Sequence, residues 1–405
     1  MNYVPIPLAM LALDQALPVD VRDPEGKLLM RKGQSMLSEQ HRDMLSAHQA
    51  CMTESDASAW QKSYERLIHT LLAEGADIDT IAHARLPAEI RESDYVQGRE
   101  VLGGWLDLQE ILRGLLYQGE AAINPLQRLA GIEQKALELL QSDPDECLFI
   151  LFQALADITL GYCATHSLLS AVVSELTAQK LGLAEPARRN LFRSALVMNI
   201  GMARAQDSLA RQSSTLIDAQ RKLIREHPQT SVEILQKIGV VDPDQLDIVR
   251  WHHELGESRG LSRNLPSRRI LRTADNFVAK MAARKTRLAM SPLGAAKSIF
   301  LGSTDDMARL GSAMATAVGF YPPGTYVQLV NGEKAVSVAR GSRANNPHVV
   351  SIVNLGGMPL SKYIYRDTTD PHFAIRAPLN AEKIKVKVSL EKVLKELKAR
   401  TDRPA

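Results

Sequence analysis

The chain has 405 residues, a formal net charge of +3, 45% apolar residues and 23% charged ones, which predicts a water-soluble globular protein of two or three compact units and argues against a broad basic surface for nucleic acid or an anionic membrane. Aromatic residues are only 5%, which argues against a mostly β chain, so helix should dominate. The three cysteines, Cys51, Cys147 and Cys163, are odd in number and widely spaced, which fits neither a disulfide framework nor a zinc finger and points to a reducing compartment. No run reaches the roughly 18 apolar residues of a membrane span, and Met1 to Leu13 lacks the basic start of a signal peptide, so a cytoplasmic location is expected.

In chain order, Leu17 to Val21 and Leu28 to Met30 read as short strands around a turn at Asp23 to Lys27, where Pro24 fixes φ and Gly26 supplies positive φ. A helix from Ser38 to about His48 follows, giving a small β module plus helix over residues 1–50. Residues 51–150 read as a helical linker region: Trp60, Tyr64, Leu67, Ile68 and Leu71 recur at helical steps, as do Leu108, Ile111, Leu112 and Leu115, then Leu126, Leu129, Ile132, Ala136 and Leu139. Leu86 to Asp94 between them is a polar loop.

The next block carries the chemistry. Thr165 to Leu181 is predicted as one helix, with His166 on its apolar face and Gly182 as its stop. Ala187 to Val197 is a second helix and Leu216 to Glu226 a third. Pro228 suits a first helical position, so His227 is predicted to cap a fourth. Asp244 to His253 and Ile270 to Ala283 follow, then helices over Pro292 to Leu301 and Thr304 to Val318. Beyond Phe320 a second β module begins: Tyr326 to Val330 and Ala335 to Ala339 form a hairpin about Asn331 and Gly332, Val349 to Val353 adds a strand, and Ile384 to Val388 adds another before a short amphipathic helix on Leu390, Val393, Leu394 and Leu397.

Four of the ten histidines lie between His166 and Asp275, and histidines and a carboxylate from several helices are what a metal site in a bundle needs. The ordered landmarks His166-Ser167, His227-Pro228, His252-His253-Glu254 and Ala274-Asp275 resemble the HD-GYP domain family of the HD phosphohydrolase superfamily, whose active members hydrolyse cyclic di-GMP. The resemblance covers about residues 151–320 and implies a mainly α fold, an HD-superfamily helical bundle with small β modules on its N- and C-terminal sides, the last over residues 321–405. It also implies a bacterial signalling protein.

In active members the first His, a His-Asp pair, the His of His-Pro, the His-His pair and the late Asp hold two or three metal ions, and the Asp of His-Asp bridges them so that a shared water becomes hydroxide. Here the His-Asp positions are Met198 and Asn199. Met198 offers a thioether and Asn199 a neutral carbonyl, and Met202 stands where the family lysine meets a phosphate. Of the loop the family names itself for, residues 257–262 retain only Gly260. Residual ligands are therefore His166, His227, His252, His253 and Asp275, with one divalent ion (Zn, Fe or Mn) or none. Three imidazoles from His227, His252 and His253 suffice for zinc; His166 and Asp275 read instead as a hydrogen-bonded pair. Arg284 and Arg287, three residues apart on a helix face, match the family's phosphate contacts.

Two functions follow from the resemblance. One is a catalytically impaired regulatory module that binds cyclic di-GMP or docks a protein of the same signalling system, such as a diguanylate cyclase, alone or as a homo-oligomer. The other is a metal-dependent phosphodiesterase with an altered metal site.

Overall fold

The computed structural model of the chain describes residues 3–73, 77, 79–80, 84–90, 103–157, 160–254, 258–282, 290, 294–295, 305–381, 384, 386, 388–393 and 396. Residues 1–100 and 101–405 are two compact units. Twelve α-helices lie among the described residues, against two antiparallel sheets. None of those helices is long and apolar enough to cross a membrane.

The first unit is a four-stranded sheet in the order β1 (Tyr3–Pro5), β4 (Cys51–Thr53), β2 (Val21–Arg22), β3 (Leu28–Met30). The β2–β3 turn is made as expected, with Gly26 at φ 88°. Helix α1 (Glu39–Ala47) starts at Ser38, whose hydroxyl accepts the His41 N–H at 3.2 Å. Such a cap satisfies one of the amides that the first turn leaves open. Val21, Met36, Leu45 and Trp60 of α2 (Glu54–Ala73) form its core, and the Trp60 indole N–H donates to the Pro87 carbonyl at 2.9 Å. Strands β1 and β4 lack the turn punctuation that marks the hairpin; Pro5 is tolerated because β1 is an edge.

The second unit is built round α6 (Tyr162–Lys180), whose residues from Tyr162 to Ala178 are all buried. A helix buried on every side needs neighbours on every side, and they include α3 (Trp105–Gln118), α5 (Pro144–Ala156), α7 (Glu185–Val197), α8 (Ala203–Arg211), α11 (Leu265–Met281) and α12 (Asp305–Val318). The helices expected as a linker are therefore walls of this core: Leu108, Leu112, Ile132 of α4 (Pro125–Ser142) and Leu148 pack in one cluster with Leu168, Val172 and Phe192. Sequence periodicity gave their apolar faces but not what those faces meet.

A second difference lies at Pro228. In place of two helices meeting at His227, one helix, α9 (Asp218–Lys237), runs through the proline. Helix α10 (Pro243–Trp251) then leads to His252. At the C-terminal side, β5 (Tyr326–Leu329), β6 (Lys334–Ala339), β7 (His348–Val353), β8 (Pro359–Asp367) and β9 (Ile375–Leu379) form a sheet in the order 8-7-6-5-9. The predicted hairpin is its centre; β8 and β9 were not foreseen as strands, and of the strand expected at Ile384 to Val388 the described residues 384, 386 and 388 are not extended into the sheet. Residues 390–393 are helical, while Leu394 and Leu397 lie outside the described residues, as does nearly all of the helix expected at Pro292 to Leu301.

Candidate functional site

His166 stands one turn into α6, and the helix start is fixed from outside. Asp207, buried on α8, accepts the Cys163 N–H at 2.6 Å and the Tyr117 phenol at 2.5 Å. A carboxylate on the free amides of a first turn is favoured by both hydrogen bonding and the helix dipole. Gly161, at φ 92°, is required just before it, because a side chain there would run into Arg113. Burial, reinforced by the neighbouring Asp207, pushes the Cys163 thiol and the Tyr117 phenol up, so neither is a nucleophile at neutral pH.

Both ring nitrogens of His166 are taken. Nε2 lies 2.7 Å from Asp275 Oδ1 and Nδ1 lies 3.0 Å from the Tyr162 hydroxyl one turn back on the same helix. Asp275 comes from the middle of α11. Burial works to raise its carboxyl, but the His166 hydrogen bond and charge, with His253 and His252 nearby, hold it well below the usual carboxylate range.

The other three histidines meet one another. His227 from α9 and His252 from the end of α10 face each other with Nε2 atoms 3.3 Å apart, and His253 completes a group whose ligand atoms all lie within 4.8 Å of one another. The Nδ1 of His227 is 2.6 Å from the Ile224 carbonyl and that of His252 is 2.7 Å from the Val249 carbonyl. Carbonyls only accept, so each Nδ1 carries a proton and each Nε2 is left with a lone pair. Burial holds His227 down to about 4. It pushes His252 well below its ordinary range, with His253 and His227 adding to the effect, and it lowers His253 too. The cluster is neutral. Among the described residues, these three are the group that could hold a metal ion.

Met198 and Asn199 sit at the turn after α7, both buried. The turn is pressed onto α9: Ser231 donates its hydroxyl to the Met198 carbonyl at 2.8 Å and accepts the Gly201 N–H at 3.0 Å, and a side chain at Gly201 would strike the His227 carbonyl. Among the described residues, the Asn199 Nδ2 has no hydrogen-bond partner. Met202 lines a cleft of about 520 Å³ together with Tyr117, Arg204, Thr230, Glu233 and Lys237.

With this geometry in view, residues 151–306 match the HD domain family. They are an HD domain. The 3'3'-cGAMP-specific phosphodiesterase 3 of Vibrio cholerae serotype O1 is 28% identical over 202 residues, covering 46% of this chain and 44% of that protein, so the chain spans less than half the length of the curated relative it matches. A solved structure of a HDG"Y"P protein from Bdellovibrio bacteriovorus aligns with 77% of this chain and 99% of its own, at 17% identity and a TM-score of 0.39.

Within the HD domain, the five predicted polar residues thus separate into a closed pair, His166 with Asp275, and an open triad, His227, His252 and His253. Arg284 and Arg287 lie outside the described residues. Gly260 of the eroded loop is at φ 67° and packs against Asp247, Trp251 and Arg268. Asp247 accepts the Leu261 N–H at 2.8 Å and the Asn264 amide at 3.0 Å, and buried Arg268 donates to the Arg259 carbonyl at 2.6 Å. These loop anchors, and Asp207, escaped the sequence reading. Tyr162 lies four residues before His166, outside the helix predicted from Thr165; the helix in fact begins at Tyr162, which puts the two side chains one turn apart.

Proposed function

We propose that this HD domain is a regulatory module of a bacterial cyclic di-GMP signalling system that binds a cyclic dinucleotide or docks a partner protein of that system and does not hydrolyse the phosphodiester. The observation that carries the reading is the pairing of Asp275 with His166, together with a methionine and an amide at positions 198 and 199. Among the described residues no carboxylate joins the histidine group that could hold a cation, and a carboxylate shared by two cations is what would supply hydroxide. Met202 likewise brings no positive charge to a phosphate oxygen. That the Vibrio relative is named for 3'3'-cGAMP supports a cyclic dinucleotide as the ligand class.

The converging lone pairs of His227 and His252 favour a second reading, a phosphodiesterase with an altered metal site, since three imidazoles also serve catalytic zinc. One assay separates the two. Purified full-length protein is incubated with cyclic di-GMP and with 3'3'-cGAMP in the presence of Zn, Mn or Fe(II), and linear product is measured by chromatography. The regulatory reading expects none above a His252→Ala control; metal-dependent linear product that this substitution abolishes establishes the second.

A further inference from the structure

We infer that the hairpin turns at one end of the C-terminal sheet are a docking surface for an anionic lipid bilayer, with Val330, Leu355 and Met358 entering the acyl boundary and Lys334 and Arg376 meeting the headgroups. The inference goes beyond the reading above and does not depend on whether the HD domain hydrolyses a phosphodiester.

The topology of the sheet brings these residues together. Strands β5 and β7 both run toward this end; the β5–β6 turn closes with the Leu329 N–H on the Glu333 carbonyl at 2.9 Å, and the β7–β8 turn with the Asn354 N–H on the Met358 carbonyl at 3.0 Å. Because β6 pairs with β7, Lys334 opposite Val353, the two turns are neighbours. A side chain on Gly332 would come within 2.9 Å of the Leu355 side chain, so Leu355 lies over the turn that carries Val330. Val330 is 53% exposed, Leu355 72% and Met358 64%. Single exposed apolar residues are ordinary, but three large ones on adjacent turns form a patch of the kind that marks an interaction site.

Two observations select a bilayer as its occupant. The first is that the polar groups of the turns are largely bonded within the sheet. The Val330 N–H donates to the Ala374 carbonyl at 2.8 Å, the Gly332 N–H to the Leu329 carbonyl at 2.9 Å and the Gly357 N–H to the Asn354 carbonyl at 3.0 Å. The side-chain carbonyls of Asn331 and Asn354 accept the Glu333 and Met358 N–H groups at 3.1 and 3.0 Å. A partner protein could supply hydrogen bonds of its own, whereas an acyl layer supplies none, so a surface that enters it must bring its polar groups already paired.

The second is charge. Within residues 330–334, 354–359 and 374–376 the charged side chains are Glu333, Lys334 and Arg376. Both carboxylate oxygens of Glu333 accept from Arg366, at 2.7 and 2.9 Å, and one also accepts the Ser351 hydroxyl at 2.6 Å, so its negative charge is spent inside the sheet. Arg376 is exposed in the irregular pairing of β9 with Gln328 and Leu329, a place where a bulge re-aims a side chain. An apolar tip flanked by cations is the combination that anionic headgroups over an acyl layer attract.

The test is co-sedimentation of the full chain with vesicles of phosphatidylcholine alone and of phosphatidylcholine mixed with phosphatidylglycerol. Expected is binding to the mixed vesicles that weakens at least about tenfold in the double variant Leu355→Ser, Met358→Ser and about fivefold or more in Lys334→Ala, Arg376→Ala. High salt should release the wild type by screening the two cations. Leu355→Trp should add a fluorescence component that shifts to the blue with mixed vesicles and not with neutral ones, and a thermal melt of each variant checks its fold. No sedimentation with either vesicle, neutral vesicles bound as tightly as anionic ones, or unchanged binding by Leu355→Ser, Met358→Ser would overturn the inference. So would a chain that ignores both vesicles and dimerises in gel filtration through Leu355 and Met358, which would assign the patch to a protein contact.

Discussion

His227 Nδ1 lies 2.6 Å from the carbonyl oxygen of Ile224, and that carbonyl is the one which Pro228, four residues on, cannot reach with an N–H. A proline inside a helix removes one main-chain bond and leaves an orphan acceptor. The imidazole beside it takes the vacancy, which fixes both its tautomer and the direction of Nε2 toward His252. The His-Pro pair thus works as one unit in which the helix defect orients the ligand.

Pro228→Ala should therefore uncouple stability from binding. With an amide at 228 the helix can satisfy Ile224 itself, the His227 ring loses its acceptor, and zinc affinity should fall by about 10–100-fold, the usual cost of removing a group that orients a metal ligand. The melting temperature of the metal-free chain should hold or rise. Chelator competition and a thermal melt on the same sample check both halves; unchanged affinity would mean that packing alone orients the ring.

Acid should destabilise the metal-free domain over a defined window. Burial holds His227 near 4 and lowers His252 and His253 as well, against roughly 6.5 in an unfolded chain. Between those values the unfolded chain binds more protons, so the contribution is complete above about pH 6.5 and is lost as pH falls through about 4. For His227 alone this is on the order of 3 kcal/mol. Asp275, held below the usual carboxylate range, acts in the same direction at lower pH. Melting temperature measured at steps from pH 7.5 to 4.5 should drop most steeply below about 6.5 and less so in His227→Gln; a flat profile would contradict neutral burial.

Gly260→Ala should cost more than about 2 kcal/mol, because it adds a strained positive φ to a collision with Asp247, Trp251 and buried Arg268. Urea denaturation of the two proteins measures it. A loss below about 0.5 kcal/mol would mean that the loop relaxes without the Asp247–Leu261 and Arg268–Arg259 bonds.

The parts of this fold legible in the sequence were those decided locally. Gly182 ends α6 at φ 76° and Ser38 caps α1, as their residue types required, and the order of His166, His227, His252 and Asp275 pointed to the HD domain. What escaped was decided at a distance. Pro228 breaks a helix by local rules, yet α9 continues because His227 covers the freed carbonyl and the stretch from His227 on is anchored by buried Ser231, Val232 and Leu235. The faces of Leu108, Leu112 and Ile132 were visible, but only the packed structure gives them Leu168 and Val172 as partners. Asp207 lies on α8, a short helix, and its role depends on the start of α6, 44 residues earlier.

Asn199→Asp tests how much of a harder-ion site one carboxylate restores. Asn199 is 2% exposed and its Nδ2 finds no acceptor among the described residues, while Met198 beside it is wholly buried in the core. Exchanging the orphan amide for a carboxylate without a cation buries an uncompensated charge or forces its protonation, at a cost of about 1–3 kcal/mol. With a cation the same oxygen is a hard anionic ligand, and binding then stabilises the fold by mass action. The variant should melt below wild type in chelator and gain more than wild type from saturating manganese. Hydrolysis should not return, since Met198 still supplies no imidazole and Met202 no ammonium group. Paired thermal melts with chelator and with manganese decide it: a variant that is as stable as wild type when stripped and unmoved by manganese would place the side chain of residue 199 away from the ion.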